Sequence, residues 1–342
     1  MAQAIPDVAF EVVHIPIPDG ARALTRVEPP ELPNAVRTFT MPELPEVETV
    51  VRGLQAALPG KRILDVRLGK TDFIEDPAAL AQQLPGSRIT CVRRYGKFII
   101  VDLESANRNP SELSLLIHLG MTGQIVTCSP EVPSPLHTHL FFALDDGREL
   151  RYTDIRRFGS IRILTDVARK VVLGNLGVDP LEATQEEFVA KLHARRARIK
   201  ALLLDQHVLR GIGNIYTDES LWRARIHPAR LGANLKHQEL RRLYHAVRDV
   251  LTEAIRLRGS SISDYVDSAG RPGGYQQRHR VYQREGKGCF RCGKPIHRAI
   301  VNGRSSYFCP SCQPAPRLRR RRRRSLSGRS LAYERCRSSS SK

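Results

Sequence analysis

The chain has 342 residues, of which 41% are apolar, so two or three domains with real hydrophobic cores are expected and wholesale disorder is excluded. No apolar run reaches the roughly 18 residues that a membrane span needs, and the first residues lack a basic segment followed by an apolar core, so we expect neither a membrane protein nor a secreted one. The formal net charge is +20, and residues 41–313 alone carry +12. This excess of basic residues favours nucleic acid or another polyanion as partner. The alternative explanation is a proteome whose proteins are generally basic.

The amino-terminal part of the chain divides at Met41. Residues 1–40 are rich in proline without a sustained period, and we predict that they are disordered or absent from the mature protein. Pro45 suits a first helical turn, and the apolar residues that follow it at helical spacing predict a helix over about 46–57.

Strand-like segments dominate from there to about residue 165. An alternating pattern predicts a strand at 88–93, and apolar runs predict strands at 98–103, 115–119 and 139–144. Asp146-Gly147 is a hairpin signal that leads into a further strand at 150–155. We interpret this half as a β-sandwich or barrel with a leading helix. Cys91 and Cys128 lie in these apolar strands and are predicted to be buried, without a role in a site.

The hydrophobic period becomes helical from about residue 180. Residues 186–206 and 238–258 are predicted helices. Between them, Gly211-Ile212-Gly213-Asn214 is a glycine-rich turn that opens a short helix carrying Asp218 and Glu219.

Shifts in composition indicate an α+β multidomain protein. The predicted parts are the extension (1–40), the sandwich domain (41–170), a helical domain (171–276), a cysteine module (277–313) and a disordered Arg- and Ser-rich tail (314–342). The tail carries a net charge of +10 and should add salt-sensitive, sequence-independent affinity for a polyanion.

Four of the seven cysteines form two CxxC pairs, Cys289 with Cys292 and Cys309 with Cys312. Each pair places two thiolates on one tight turn, and two such turns complete a tetrahedral Zn²⁺ site. Because the protein supplies all four ligands, the single zinc should be structural rather than catalytic. Four unrelated reduced cysteines are the alternative.

The segment Met41-Pro42-Glu43-Leu44-Pro45-Glu46-Val47-Glu48 opens the folded part. With the β-rich half, the glycine–asparagine turn and the four-cysteine finger that follow, it resembles the formamidopyrimidine-DNA glycosylase family (Fpg, also called MutM) over residues 41–313. The resemblance implies a helix–two-turns–helix domain before the finger. It further implies a bacterial repair enzyme, monomeric and located in the cytoplasm at the nucleoid. Such an enzyme excises 8-oxoguanine and formamidopyrimidines from double-stranded damaged DNA and cleaves the abasic site by β,δ-elimination.

The resemblance assigns catalytic roles to Pro42, Glu43 and Lys97. An N-terminal proline would be the nucleophile, because a secondary amine with a pKa of about 8 is partly unprotonated at neutral pH and can attack the anomeric carbon of the sugar. Glu43 would act on the ring oxygen of the sugar, and Lys97 would contact a phosphate near the lesion. Without the family, Pro42 would be an ordinary helix-start proline and Lys97 a solvated hairpin lysine.

Three more residues, Glu46, Lys200 and Glu219, match family positions that support the pocket. Local sequence alone would instead place Lys200 on a basic helix face with its neighbouring arginines. Asn214 in the glycine-rich turn and Arg304 in the finger match residues that hold phosphates, contacts that position DNA without specifying the damaged base.

The motifs HLGMTG and YTDIRRFG resemble two loops that fill the gap left by an extruded base. Met121 and Phe158 would intercalate, and Arg156 would pair with the orphaned cytosine. Ile155 replaces the usual proline, which changes loop stiffness but removes no functional group. The glycine-rich segment 268–274, predicted to be a flexible loop, resembles the one that closes over an oxidised purine. It favours this family over the related endonuclease VIII class, which acts on oxidised pyrimidines.

The extension in front of Pro42 conflicts with the proposed nucleophile. An internal proline nitrogen is a tertiary amide without a basic lone pair, so we expect translation to start at Met41 and this methionine to be removed. If residues 1–40 are retained, a catalytically silent protein that binds damaged DNA becomes the alternative. A zinc-finger transcriptional regulator is disfavoured, because there is one finger and no recognisable major-groove helix.

Overall fold

The computed structural model describes residues 41–105, 112–262 and 264–316. The disorder predicted for residues 1–40, and for all but the first three residues of the basic tail, lies outside the described residues. Within the described ranges, no helix is both long and apolar enough to cross a membrane.

The first half is a β-sandwich of two four-stranded antiparallel sheets with a leading helix, as predicted. Its elements are α1 (Leu44–Ala57), β1 (Ile63–Leu68), α2 (Pro77–Gln83), β2 (Arg88–Tyr95), β3 (Phe98–Glu104), β4 (Glu112–His118), β5 (Gly123–Cys128), β6 (Thr138–Leu144), β7 (Glu149–Asp154) and β8 (Ser160–Thr165). One sheet has the order β1-β6-β7-β5 and the other β2-β3-β4-β8. The apolar stripe of α1 lies in the core that residues of both sheets share.

The second half is helical and ends in a small two-stranded hairpin. Its elements are α3 (Asp166–Gly174), α4 (Gln185–His193), α5 (Ile199–Leu204), α6 (Asn214–Arg223), α7 (His237–Arg256), β9 (His297–Val301) and β10 (Arg304–Phe308), with short 3-10 turns at Gly232–Asn234 and Tyr275–Arg278. Leu44, the first residue of α1, belongs to the core of this half, whereas Val47 belongs to the sandwich core. The opening motif, which runs from Met41 into the first turns of α1, is therefore held between the two cores.

The prediction of one continuous helix over 186–206 is wrong. The chain forms α4 and α5 with an interruption at residues 194–198. There the backbone bonds to a distant segment instead of to itself, because Ile199 N donates to Arg230 O at 2.7 Å and Gly232 N donates to Ala197 O at 2.9 Å. A helical apolar pattern cannot show this competing tertiary pairing.

The prediction that Cys91 and Cys128 are buried is also wrong. Cys91 is exposed and Cys128 is half-buried at the end of β5. The pairing of β2 with β3 shifts register between Ile89 and Cys91, which inserts an extra residue and turns Cys91 outward. The remaining predicted strands and helices are observed with boundaries that differ by at most three residues.

Candidate active site

A cavity of about 420 Å³ opens where the sandwich, the helical half and the finger hairpin meet. Its lining residues come from distant parts of the chain: Met41, Glu43, Lys97, His118, Leu204, Gln206, Ile212, Gly213, Asn214, Tyr282 and Arg304. The fold therefore brings together an acid, two cations and an amide that the sequence places in four separate motifs.

Glu43 lies just before α1, and its carboxylate is held at the start of α6. Oε2 accepts hydrogen bonds from the backbone N–H groups of Gly213 at 2.9 Å and Tyr216 at 3.4 Å, and Oε1 accepts one from Ile215 at 3.0 Å. A Cβ on Gly213 would lie 2.3 Å from Glu43 Cδ, so this approach requires glycine. Burial raises the pKa of Glu43, against the opposing effects of Lys97 and the three amides, so the carboxyl holds a proton more readily than an exposed one.

Glu46 lies behind Glu43 and links the motif to the segment after α7. Its Oε2 accepts from Glu43 N at 2.9 Å, and its Oε1 accepts from Ser260 N at 2.7 Å and from the hydroxyl of Tyr216. Burial, reinforced by the nearby charge of Glu43, raises the pKa of Glu46 to about 7. Glu46 is thus a buried support for the amino-terminal motif rather than a lining group of the cavity.

Because the pKa of Glu46 is raised, we expect the free energy of unfolding to fall more for the wild-type protein than for Glu46→Gln when the pH rises from 5 to 8. Native Glu46 keeps its proton up to pH about 7, whereas the unfolded residue loses it near 4.5, so the native state binds more protons in this window and the free energy of unfolding falls as pH rises. The difference is at most about 3 kcal/mol. Thermal unfolding at both pH values measures it, with exposed Glu186→Gln as control; parallel wild-type and Glu46→Gln curves would contradict it.

Pro42 is buried, and its neighbours on either side both line the cavity. Met41 is 39% exposed and is joined through its carbonyl carbon to the Pro42 nitrogen. The backbone after Pro42 is fixed because Leu44 N donates to Gly211 O at 2.9 Å. Removal of Met41 would therefore leave the ring nitrogen at the wall of the cavity.

Lys97, Asn214 and Arg304 place three hydrogen-bond donors on this cavity. Lys97 lies in the tight turn between β2 and β3, where burial lowers its pKa and the charges of Glu43 and Glu46 oppose that effect. Asn214 begins α6 and donates from Nδ2 to Ser305 O at 3.1 Å. Arg304 begins β10 and is exposed. The arrangement suits an anionic ligand that runs along the cavity mouth.

His118 is a lining residue that the sequence analysis missed. Its Nδ1 accepts a hydrogen bond from Gly120 N at 3.2 Å, which leaves the ring proton on Nε2. Burial and the charge of Lys97 lower the pKa of His118 to about 4, so the ring is neutral at physiological pH and can act as a donor. Its position at the start of the HLGMTG motif is the sequence feature that could have identified it.

Lys200 does not lie on a basic helix face. It is fully buried, and Nζ donates to Asp218 Oδ1 at 2.7 Å and to Ser305 O at 2.8 Å. The other oxygen of Asp218 accepts from Tyr307 N at 2.9 Å. This pair ties α5 and α6 to the hairpin that carries Arg304, so Lys200 supports the site from behind and Asp218 is a second residue that the sequence analysis did not select.

Glu219 also acts at a distance from the cavity. Its buried Oε1 accepts hydrogen bonds from the backbone N–H groups of Arg280, Val281 and Tyr282 at 2.9–3.0 Å. Of these, Tyr282 lines the cavity. Glu219 therefore anchors the segment that leads from the helical half into the finger.

The two loops predicted to enter DNA lie side by side. Phe158 is 56% exposed, and the Arg156 guanidinium lies 4.5 Å from the centre of its ring. Met121 on the other loop is half-buried. An exposed aromatic ring beside a cation is compatible with insertion between bases.

The glycine-rich segment 268–274 is tied down at both ends. Thr127 N donates to Ser268 O at 3.1 Å, and Gly273 N donates to the Ser261 hydroxyl at 2.8 Å. Tyr275, directly after it, is buried with its ring 5.5 Å from that of Tyr216. The segment thus spans from β5 to the end of the helical core.

The four cysteines of the finger are clustered as a metal site requires. The sulfur atoms of Cys289, Cys292, Cys309 and Cys312 all lie within 4.8 Å of one another. Cys289 Sγ accepts a hydrogen bond from Trp222 Nε1 at 3.4 Å, as a metal-bound thiolate does. Four sulfurs at this spacing fit tetrahedral Zn²⁺ with Zn–S distances of about 2.3 Å, which supports one structural zinc.

Three family profiles match the chain in order. They are "Formamidopyrimidine-DNA glycosylase N-terminal domain" over residues 41–161, "Formamidopyrimidine-DNA glycosylase H2TH domain" over residues 176–266, and "Zinc finger found in FPG and IleRS" over residues 286–315. The formamidopyrimidine-DNA glycosylase of Solibacter usitatus is 46% identical over 270 residues, which cover 78% of this chain and 97% of that relative.

Solved structures similar to this chain come from the same family. The Lactococcus lactis Fpg, solved with DNA that contains an abasic site and with DNA that contains an oxidised pyrimidine, has a TM-score of 0.72 and 32% identity, covering 80% of this chain and 100% of that one. MutM (Fpg) from Thermus thermophilus has a TM-score of 0.69 and 41% identity, covering 80% of this chain and 98% of that one.

Proposed function

Because the chain belongs to the formamidopyrimidine-DNA glycosylase family, we propose that it removes 8-oxoguanine and formamidopyrimidines from double-stranded DNA and cleaves the abasic site that results. It is a bifunctional DNA glycosylase and AP lyase of base excision repair. The observation that carries the proposal for its site is the convergence of Glu43, Lys97, Asn214 and Arg304 on one cavity beside the Pro42 nitrogen.

The reaction starts at the Pro42 nitrogen. With Met41 removed, this nitrogen is a secondary amine, and its lone pair attacks the anomeric carbon while the damaged base leaves with the electrons of the glycosidic bond. The sugar ring then opens to an iminium. This cation withdraws electrons from the neighbouring carbons, so loss of a sugar proton expels the 3′ phosphate and a second elimination expels the 5′ phosphate.

Glu43 supplies the proton for opening the sugar ring. Its raised pKa increases the protonated fraction at neutral pH, and its position directly after Pro42 places the carboxyl near any sugar bonded to that nitrogen. A proton given to the ring oxygen turns it into a hydroxyl, which is a better leaving group than an alkoxide.

Lys97, Asn214, Arg304 and the neutral His118 hold the phosphates on either side of the lesion. Their donors fix the sugar against the nucleophile and stabilise the charge on the expelled phosphates. Lys200, Asp218, Glu219 and the zinc hold these donors in place. When bound, the zinc supplies structural cross-linking through Cys289, Cys292, Cys309 and Cys312.

Met121 and Phe158 fill the space that the extruded nucleotide leaves, and Arg156 meets the orphaned base. Stacking of the inserted side chains on the neighbouring bases offsets part of the cost of unpairing, which is about a few kcal/mol. The resemblance to this family favours a monomeric enzyme, which we propose for this chain. Its substrate is chromosomal DNA, so we place it in the bacterial cytoplasm at the nucleoid.

Cleavage of matched duplexes tests the proposal. The form that begins at Pro42 should cut a duplex with 8-oxoguanine opposite cytosine and leave an undamaged duplex intact. A duplex with thymine glycol tests the endonuclease VIII-like alternative, which gains support because the Lactococcus lactis relative was solved with an oxidised pyrimidine in its DNA. Cleavage of the thymine glycol duplex alone would reject the oxidised-purine assignment.

Removal of one phosphate contact should weaken binding in a salt-dependent way. The plot of log affinity against log salt falls with a negative slope, and we expect Arg304→Ala to make this slope less steep by about 1. The reason is that each neutralised phosphate releases counterions. Titration of a labelled duplex at several salt concentrations measures the slope. Arg162→Ala, on β8 and paired with Glu75, is the control that should leave it unchanged; equal slopes for wild type and Arg304→Ala would contradict the prediction.

A further inference from the structure

Asp154, the last residue of β7, is fully buried between the two loops that carry Met121 and Phe158. Its Oδ1 accepts a hydrogen bond from the Thr122 hydroxyl at 2.5 Å, and its Oδ2 accepts from Gly159 N at 2.9 Å and from the Tyr152 hydroxyl at 3.3 Å. One carboxylate therefore holds a residue from each loop.

The Thr122 hydroxyl extends this connection. It donates to Asp154 and accepts from the backbone N–H of Arg156 at 3.1 Å. The first loop is thus bonded directly to the second, at the residue next to exposed Ile155. A buried carboxylate and hydroxyl that satisfy each other and two backbone amides form a rigid polar network.

The two loops also touch backbone to backbone. Gly120 has φ +62, and a Cβ there would lie 2.4 Å from the carbonyl of Phe158. A Cβ on Gly159 would lie 2.9 Å from the carbonyl oxygen of His118, the residue directly before the first loop. The loops are therefore in direct contact at Gly120, where no side chain fits between them.

We propose that Asp154 is a positioning residue that locks the segments 119–123 and 155–159 into a single wedge. The inference rests on the proposed function only in that these loops enter DNA. Asp154 is buried and acts through Thr122 and Gly159, so it sets the direction of Phe158 and Arg156 without touching the duplex. Affinity through the phosphate contacts should then be independent of Asp154, whereas insertion of the wedge and recognition of the opposite base should depend on it.

Two variants break the lock in different ways. Asp154→Asn leaves one acceptor oxygen for three donors and turns an NH₂ group toward one of them. Thr122→Val keeps the volume but removes the hydroxyl that joins Asp154 to Arg156. Thr122→Ser restores that hydroxyl. Asp146→Asn, in the hairpin turn at the opposite end of β7, is the control.

The probe is a duplex with a tetrahydrofuran abasic analogue, which cannot be cleaved, and 2-aminopurine beside the orphaned cytosine. It is used with the form beginning at Pro42, which contains every helix and strand described above. Wild type, Thr122→Ser and Asp146→Asn should raise the fluorescence on binding, because the wedge unstacks the reporter. Asp154→Asn and Thr122→Val should bind within about threefold of wild type but lose at least about half of this rise.

A second assay compares excision of 8-oxoguanine opposite cytosine and opposite adenine. The two lock-breaking variants should lose most of the preference for cytosine, and Thr122→Ser should restore it. An unchanged fluorescence rise in both variants, or complete loss of binding in both, overturns the inference. A wild-type protein that binds the probe and inserts its wedge yet never cleaves would instead refute the proposed chemistry and leave the inference standing.

Discussion

A form of the protein that keeps Met41 in front of Pro42 is expected to lose borohydride trapping on 8-oxoguanine duplex DNA by roughly 10³-fold or more, compared with the form that begins at Pro42. The physical reason is the amide bond. When Met41 acylates the ring nitrogen, the lone pair is delocalised into the carbonyl, and neither attack on the sugar nor an iminium is possible. Reduction of the iminium gives the covalent adduct, which gel electrophoresis measures.

Affinity for the uncleavable abasic duplex provides the control, because the phosphate contacts do not need a free amine and should survive to within about tenfold. Pro42→Gly in the same processed form tests the contribution of the pyrrolidine ring apart from that of the free amine. A primary amine remains, but it lacks the ring that orients the nitrogen, so trapping should fall strongly. Equal trapping by the form that keeps Met41 and the processed form would falsify the role of Pro42.

Loss of the zinc is the second change with a large expected effect. Cys292→Ser removes one of four ligands, and structural zinc contributes about 10–16 kcal/mol of folding free energy in isolated fingers. The finger should unfold, and with it the hairpin that carries Arg304 and the carbonyl of Ser305 that Lys200 and Asn214 use. We expect the protein to lose its metal and to bind damaged duplex DNA at least about 10²-fold more weakly.

The single tryptophan reports this event directly. Trp222 donates to Cys289 Sγ, and the Arg291 guanidinium lies 4.2 Å from its ring, so its fluorescence should change when the finger opens. The sandwich has its own core and should stay folded. Exposed Cys91→Ser is the matched control and should keep both zinc and affinity. Full DNA binding by metal-free Cys292→Ser protein would contradict the prediction.

The order of elements could be predicted where the determinants are local. The apolar stripe of α1 predicts its helix because residues three and four apart share a face. The two CxxC pairs predict a metal site because each turn fixes two sulfurs by itself. The helix predicted over 186–206 failed for the opposite reason, since Ile199 bonds to Arg230, a partner 31 residues away.

The supporting residues of the site needed the tertiary structure. In the sequence Lys200 follows a run of arginines, yet in the fold it is buried against Asp218. His118 and Asp154 end β4 and β7 and lie in the motifs HLGMTG and YTDIRRFG, but the motifs alone do not show which groups their side chains contact. Their importance depends on which groups reach them across the fold.

The sequence by itself determined the chemistry that this protein has available: a proline next to a glutamate in the opening motif, four thiolates in two pairs, and basic residues beside glycine-rich turns. Only the tertiary structure decided how those groups work together. It brought Lys97, Asn214 and Arg304 to the same cavity as Glu43, raised the pKa of Glu43 and Glu46, and joined two loops through one carboxylate. The reason is that desolvation and hydrogen-bond partnership depend on neighbours in space, which a local pattern along the chain does not record.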